Sequence, residues 1–152
     1  MKKQITRFPI YLTLLFLLAA GCKKDSEEEP PTKTDLITGA GWKFDKATAG
    51  IYGDVSAYVD ACYKDNIITF ASNLTGNINE ATIVCSPSTA GSFTWSFSNN
   101  ETTLNASSSF FAAGTGSFNI VTLNETNLVL SQNITLPAPF SVTVLAEFTL
   151  KH

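Results

Sequence analysis

Ser92-Phe93-Thr94-Trp95-Ser96-Phe97-Ser98 places a bulky ring at every second position and a hydroxyl residue at each position between. That is the two-residue period of a strand with one dry face and one wet face. Near the end of the chain Val142, Val144, Ala146, Phe148 and Leu150 repeat the pattern against Ser141, Thr143, Glu147 and Thr149, with Leu145 the one apolar intruder. Between these two stretches, Leu104-Asn105-Ala106, Ser117 to Leu123 and Asn127 to Leu130 read as further short strands. Asn99-Asn100, Asn124-Glu125 and Gly114-Thr115-Gly116 supply the turn chemistry that separates them.

The first half alternates less cleanly. Trp42-Lys43-Phe44 reads as an opening strand, Ile67 to Phe70 as a second and Asn77 to Glu80 as a third, with Ala81 to Val84 its continuation or partner. Val55, Tyr58, Val59 and Cys62 have helical spacing, but Gly50 and Gly53 limit the segment to an irregular loop or one to two turns of helix. Seven to nine short, closely spaced strands predict an all-β domain. The expected form is an antiparallel up-and-down meander closed as a β-barrel, with a β-sandwich as the alternative.

Ahead of this domain, Lys2, Lys3 and Arg7 precede an apolar run from Ile10 to Leu18 and the small residues Ala19-Ala20-Gly21. The run falls short of the roughly 20 residues of a spanning helix and has the layout of a signal peptide. Leu18-Ala19-Ala20-Gly21-Cys22 resembles the bacterial lipobox, which implies cleavage before Cys22 and lipidation of Cys22 as the membrane anchor. Residues 22–35, acidic and then Pro-rich, read as a solvated tether, leaving 36–152 as the domain. The lysines and acids after Cys22 resemble the signal that sends Bacteroidota lipoproteins to the cell surface; a plain solubilising linker is the other reading. Either way the expected address is the cell envelope, on the outer membrane.

Of ten basic residues, cleavage removes Lys2, Lys3 and Arg7, so seven lysines face thirteen acids, a net charge of −6 with no arginine. Nucleic-acid binding needs a basic patch, and bidentate phosphate clamps need arginine, so neither is expected. Cys62 and Cys85 remain once Cys22 carries lipid. An even pair outside the cytoplasm reads as a disulfide, which would close a loop worth about 3 kcal/mol. A metal pair is the competing reading, with no histidine nearby to complete a zinc site.

Trp42, Cys62-Tyr63-Lys64-Asp65-Asn66 leading into Ile68-Thr69-Phe70, Cys85, Gly91 to Trp95, and Asn127 to Leu130 with a closing strand together resemble the lipocalin-like domain of Bacteroidota lipoproteins. The resemblance runs from about Leu36 to Lys151. It implies an up-and-down barrel and a pairing of the two cysteines. The chain departs from true lipocalins in two ways: Gly41 and Trp42 are adjacent without a spacer, and no arginine is left to pack on that tryptophan.

No enzyme and no cofactor is expected. Nucleophilic catalysis wants a base beside a serine or cysteine, and the only histidine, His152, ends the chain, where it is expected to be disordered. Asp45, Asp54, Asp60 and Asp65 read as turn acids, and the dense Asp-rich loop of a calcium site is missing. Binding remains. Phe93, Trp95, Phe97 and Phe118 are expected to face the barrel interior, as a packed core or as the wall of a pocket for a small hydrophobic ligand. Phe110-Phe111 break the alternation and are the candidate mouth or lid of such a pocket, or a strand buried on both sides at a bulge. Tyr52, Tyr58 and Tyr63 are the candidates for recognising a glycan or a partner protein at the surface.

Overall fold

The computed structural model describes residues 29–111 and 115–152, with Pro31–His152 forming one compact unit. The signal peptide, Cys22 and the tether as far as Glu28 lie outside the described residues. The domain begins earlier than the expected tether allows, because α1 (Lys33–Thr38) occupies its last positions. Thr32 and Asp35 start this helix as a capping box. Thr32 Oγ1 accepts from the Asp35 amide at 3.1 Å, and Asp35 Oδ2 accepts from the Thr32 amide at 2.9 Å. The Thr32 hydroxyl also donates to Asp35 Oδ2 at 2.6 Å, and this bond, followed by that of the Thr32 amide, holds the Asp35 carboxyl below the usual range. Ile37 is the buried residue of the helix.

Eight strands follow: β1 (Trp42–Thr48), β2 (Ile67–Phe70), β3 (Thr75–Asn79), β4 (Gly91–Ser98), β5 (Thr103–Ala106), β6 (Ser117–Leu123), β7 (Asn127–Thr135) and β8 (Thr143–Lys151). Each pairs antiparallel with the next, and β8 pairs with β1 through Lys43↔Lys151 and Ala47↔Phe148, which closes the barrel. The barrel is therefore the outcome and the sandwich is not. Register breaks between Phe44 and Lys46 and between Ile120 and Thr122 shift both strands by one residue, so Ala47 and Leu123 turn inward.

In β4 the three rings point in and the hydroxyls out, as their spacing requires; Phe93 and Trp95 are buried and Phe97 half-buried. The third strand differs from expectation. It spans Thr75–Asn79, and residues 81–84 form a turn segment in which Ala81 takes a positive φ and Ile83 and Val84 are exposed. The ambiguous segment after β1 resolves into two single 3-10 turns, Gly50–Tyr52 and Ser56–Tyr58, and a short helix α2 (Ala61–Lys64).

Up-and-down order sends successive connections to alternate ends. One end carries α1, the short turns 71–74, 99–102 and 124–126, and the C-terminus. The other carries the four long connections, 49–66, 80–90, 107–116 and 136–142. Charge is distributed unevenly around the wall. β2 to β7 contain no Asp, Glu, Lys or Arg; every strand charge belongs to β1 (Lys43, Asp45, Lys46) or β8 (Glu147, Lys151). Lys151 and Asp45 pair across that seam at 3.1 Å.

Candidate functional site

The helix end is sealed from sequence upward. Trp42 opens β1 fully buried, and its indole N–H donates to the Ile37 carbonyl at 2.8 Å, tying α1 across the barrel floor. His152, expected to be disordered, instead lies over that indole with ring centroids 3.9 Å apart. Its place is fixed by β8, whose pairing of Lys151 with Lys43 delivers the next residue to the Gly41-Trp42 corner.

The middle of the barrel is filled with rings. Phe70 meets Phe93, Trp95 and Phe110 edge-to-face at 5.5, 5.5 and 5.8 Å. Trp95 donates its indole N–H to the Thr75 carbonyl at 3.0 Å, which satisfies the one polar atom it buries. Gly76 must be glycine, since a Cβ there would collide with the Phe93 ring. Phe110 lies parallel to Phe118 at 5.2 Å, and Phe111 lies on Phe148 at 4.1 Å. The pair is not the doubly buried strand that was one expectation: Phe110 and Phe111 lie off the strands, with both rings in the interior. Ala112 to Gly114 lie outside the described residues.

At the loop end the filling is incomplete. An apolar cavity of about 50 Å³ remains among Val55, Tyr58, Phe111, Ile134, Leu136 and Phe148. It exceeds the room for one water but is far below the roughly 300–1,000 Å³ of a ligand pocket. Over this end Phe140 packs edge-on against Tyr52 at 5.1 Å and Tyr58 at 5.8 Å. Tyr58 and Phe140 are each 41% exposed. Tyr52 and Tyr58 thus come together, around a phenylalanine that the sequence reading missed; half-buried Tyr63 lies apart from them on α2. Of the six aromatics expected around a ligand, all join one cluster, and Phe111 is the one bordering the cavity. A wider, open hollow of about 590 Å³ lies among the outward Thr69, Asn77, Ser92 and Thr94 of β2 to β4.

Beside the loop end, Cys62 and Cys85 form a disulfide with Cα atoms 5.1 Å apart, so the metal-pair reading is set aside. The bond pins the 80–90 connection to α2, and that connection wraps one buried acid. The Glu80 carboxylate accepts from the Cys85 and Thr89 amides at 3.3 and 2.6 Å and from the Ser88 and Thr89 hydroxyls at 2.7 and 2.9 Å. The Ser88 hydroxyl and Thr89 amide lead in holding its carboxyl down, at about 2. Asp65 clamps the same connection by accepting from the Thr82 and Ile83 amides at 3.0 and 2.8 Å. Among the described residues, no group of three or more His, Cys, Asp or Glu side chains is gathered as for a metal ion.

A closed eight-stranded meander with a buried tryptophan sealing one end is now in place, and a family model for the lipocalin-like domain matches residues 37–130. The chain belongs to the lipocalin-like domain family. No curated protein matches the sequence. The match ends within β7, and this lipocalin-like chain completes the barrel with β8 beyond it. Where true lipocalins would pack an arginine on the tryptophan, it packs His152, a ring on a ring.

Proposed function

We propose that this protein is a lipid-anchored envelope lipoprotein whose lipocalin-like domain binds a small hydrophobic ligand without catalysing a reaction. The observation that carries the ligand reading is the apolar cavity at the loop end, away from the sealed floor, with Tyr58 on its wall and Phe140 packed against that tyrosine. Family membership supports the same reading, since a lipocalin-like barrel suits a small guest. The cavity wall offers hydrocarbon and ring carbon, with Tyr58, Asp60 and Thr135 as polar groups, so the guest is apolar with at most a polar tip. The anchor is carried by Cys22 after Leu18-Ala19-Ala20-Gly21, and the disulfide suits an address outside the cytoplasm.

The test is native mass spectrometry of the whole chain purified from membranes, followed by organic extraction. A discrete added mass that survives desalting supports the ligand; a bare chain from every preparation overturns it. For the anchor, Cys22→Ser should accumulate as an unlipidated precursor, and normal membrane retention of that variant would refute the lipoprotein reading.

One observation favours a second reading. The half-exposed Tyr58 and Phe140, packed edge to face, present exposed ring surface of the kind that stacks on a glycan or a partner's side chain. Retention on a polysaccharide column that is lost in Tyr58→Ala, with no extractable ligand, would favour it.

A further inference from the structure

Among the buried aromatic residues described, Trp42, Phe70, Phe93, Trp95, Phe118 and Phe148 belong to strands, whereas Phe110 and Phe111 do not. The difference matters for what can move. A ring on a strand leaves the core only if a ladder of hydrogen bonds gives way, whereas the described hydrogen bonds of Phe111 are purely local. Ser109 Oγ donates to the Phe111 carbonyl at 2.6 Å, and the Phe111 amide donates to the Ser109 hydroxyl at 3.4 Å. Packing alone therefore keeps this ring in place.

The two neighbours also differ. Phe110 is enclosed by rings, with Phe70, Phe93 and Phe118 around it. Phe111 borders the cavity, which already provides space on one side. Its seat has a defined shape. Phe148 lies beneath it, nearly parallel at 11° and 4.1 Å, while Phe118 and Phe44 stand at its margin, each 6.3 Å away and inclined by 86° and 69°. One flat floor with two upright walls is a slot for a flat ring; a flexible alkyl chain would cover the face of Phe148 less completely and forgo the edge-to-face contacts.

We infer that Phe111 is a built-in stand-in for the ligand, and that the natural guest is a small planar aromatic of one or two fused rings that takes the Phe111 seat. This rests on the small-ligand reading above and names its chemical class. The guest lies on Phe148 with its edges against Phe118 and Phe44, and extends into the space among Val55, Ile134 and Leu136. Tyr58 and Asp60 stand on the same cavity wall, so an N–H or O–H on the guest's outward edge meets an acceptor there. Because the guest must first unseat a buried phenylalanine, affinity for the native chain is lower by roughly 10- to 100-fold than for a chain with that seat vacant.

The test uses the whole chain in lipid nanodiscs, with 4-fluorophenylalanine installed at position 111, and indole as the probe. Indole is expected to shift the fluorine resonance saturably as the ring leaves its stack. By calorimetry, Phe111→Ala is expected to bind indole about 10- to 100-fold more tightly than the native chain, with Phe111→Leu between the two. An unmoved resonance at saturating indole overturns the inference, as does a folded Phe111→Ala that binds no better than the native chain. Should that variant fail to fold, the fluorine experiment on the native sequence decides alone. Decanoic acid separates the two levels of the reading. If it binds while the resonance at 111 stays fixed, the small-ligand proposal stands and the aromatic slot falls. If neither probe binds any form, both fall.

Discussion

The two ends of the barrel are closed by different physics. At the helix end a capped helix, an indole hydrogen bond and the C-terminal residue lock onto one another, so every group that closes the floor also anchors backbone. At the loop end Phe140 rests on two tyrosines, and Phe111 rests on Phe148, with backbone hydrogen bonds that reach no further than Pro137 and Ser109. The contrast teaches where stability and access are separated. The floor is expected to contribute chiefly stability, and the aromatic ceiling to be the part that yields first.

The comparison can be broken first at the floor. Trp42→Ala removes the largest fully buried side chain and leaves the Ile37 carbonyl without its donor, so it should cost about 3–5 kcal/mol in urea unfolding. A loss below about 1 kcal/mol would mean that the floor is not held by this residue. Next comes the disulfide, the one covalent tie at the loop end. Replacing Cys62 and Cys85 together by serine should cost about 3 kcal/mol, the chain-entropy value for a loop of this size. Amide exchange should then rise most in 80–90, and an unchanged exchange pattern there would argue against the pinning described above.

Acid sharpens the contrast further, because Glu80 belongs to the loop end. Its folded pKa of about 2 lies below the ordinary 4.5, so its contribution is complete above that ordinary value and is lost as pH falls towards 2. Melting temperature should therefore decline through this window. Glu80→Gln should flatten that decline and lower the melting temperature by several degrees at pH 7; an unchanged acid limb would assign it to other carboxylates. The two smallest effects test the ends against each other. Thr32→Ala removes the cap of α1 and should cost about 1 kcal/mol. Phe140→Ala should cost about 0.5 kcal/mol, while speeding exchange in 49–60 beneath it. If Phe140→Ala were the costlier of the two, the ceiling would be structural after all.

The strands that alternate were legible because a half-buried sheet writes its two faces into the chain; β4 and β8 are the clear cases. β3 was harder, since Gly76 and Ile78 are its only inward residues and Gly76 contributes no side chain. Glu80 was read as the end of a strand because its burial depends on donors from Cys85 to Thr89, brought round by a turn and a disulfide. Phe110-Phe111 did carry a signal. Two adjacent large rings point to opposite faces in a strand, so a pair buried inside a barrel has to leave the sheet, as this one does. The contact of His152 with Trp42 had no local signal, because only closure of β8 on β1 brings residues so distant in sequence together.

The absence of charge from the strands β2 to β7 extends, for basic residues, to the connections between them. After Lys64 the next lysine is Lys151, and no arginine intervenes. A protease that cuts after basic residues therefore finds no bond to attack from Asp65 to Leu150, folded or unfolded, while Cys85 keeps that piece tied to Cys62. Digestion with trypsin should leave seven of the eight strands in one uncut peptide, and a search for this protein by its tryptic fragments would pass over most of the barrel.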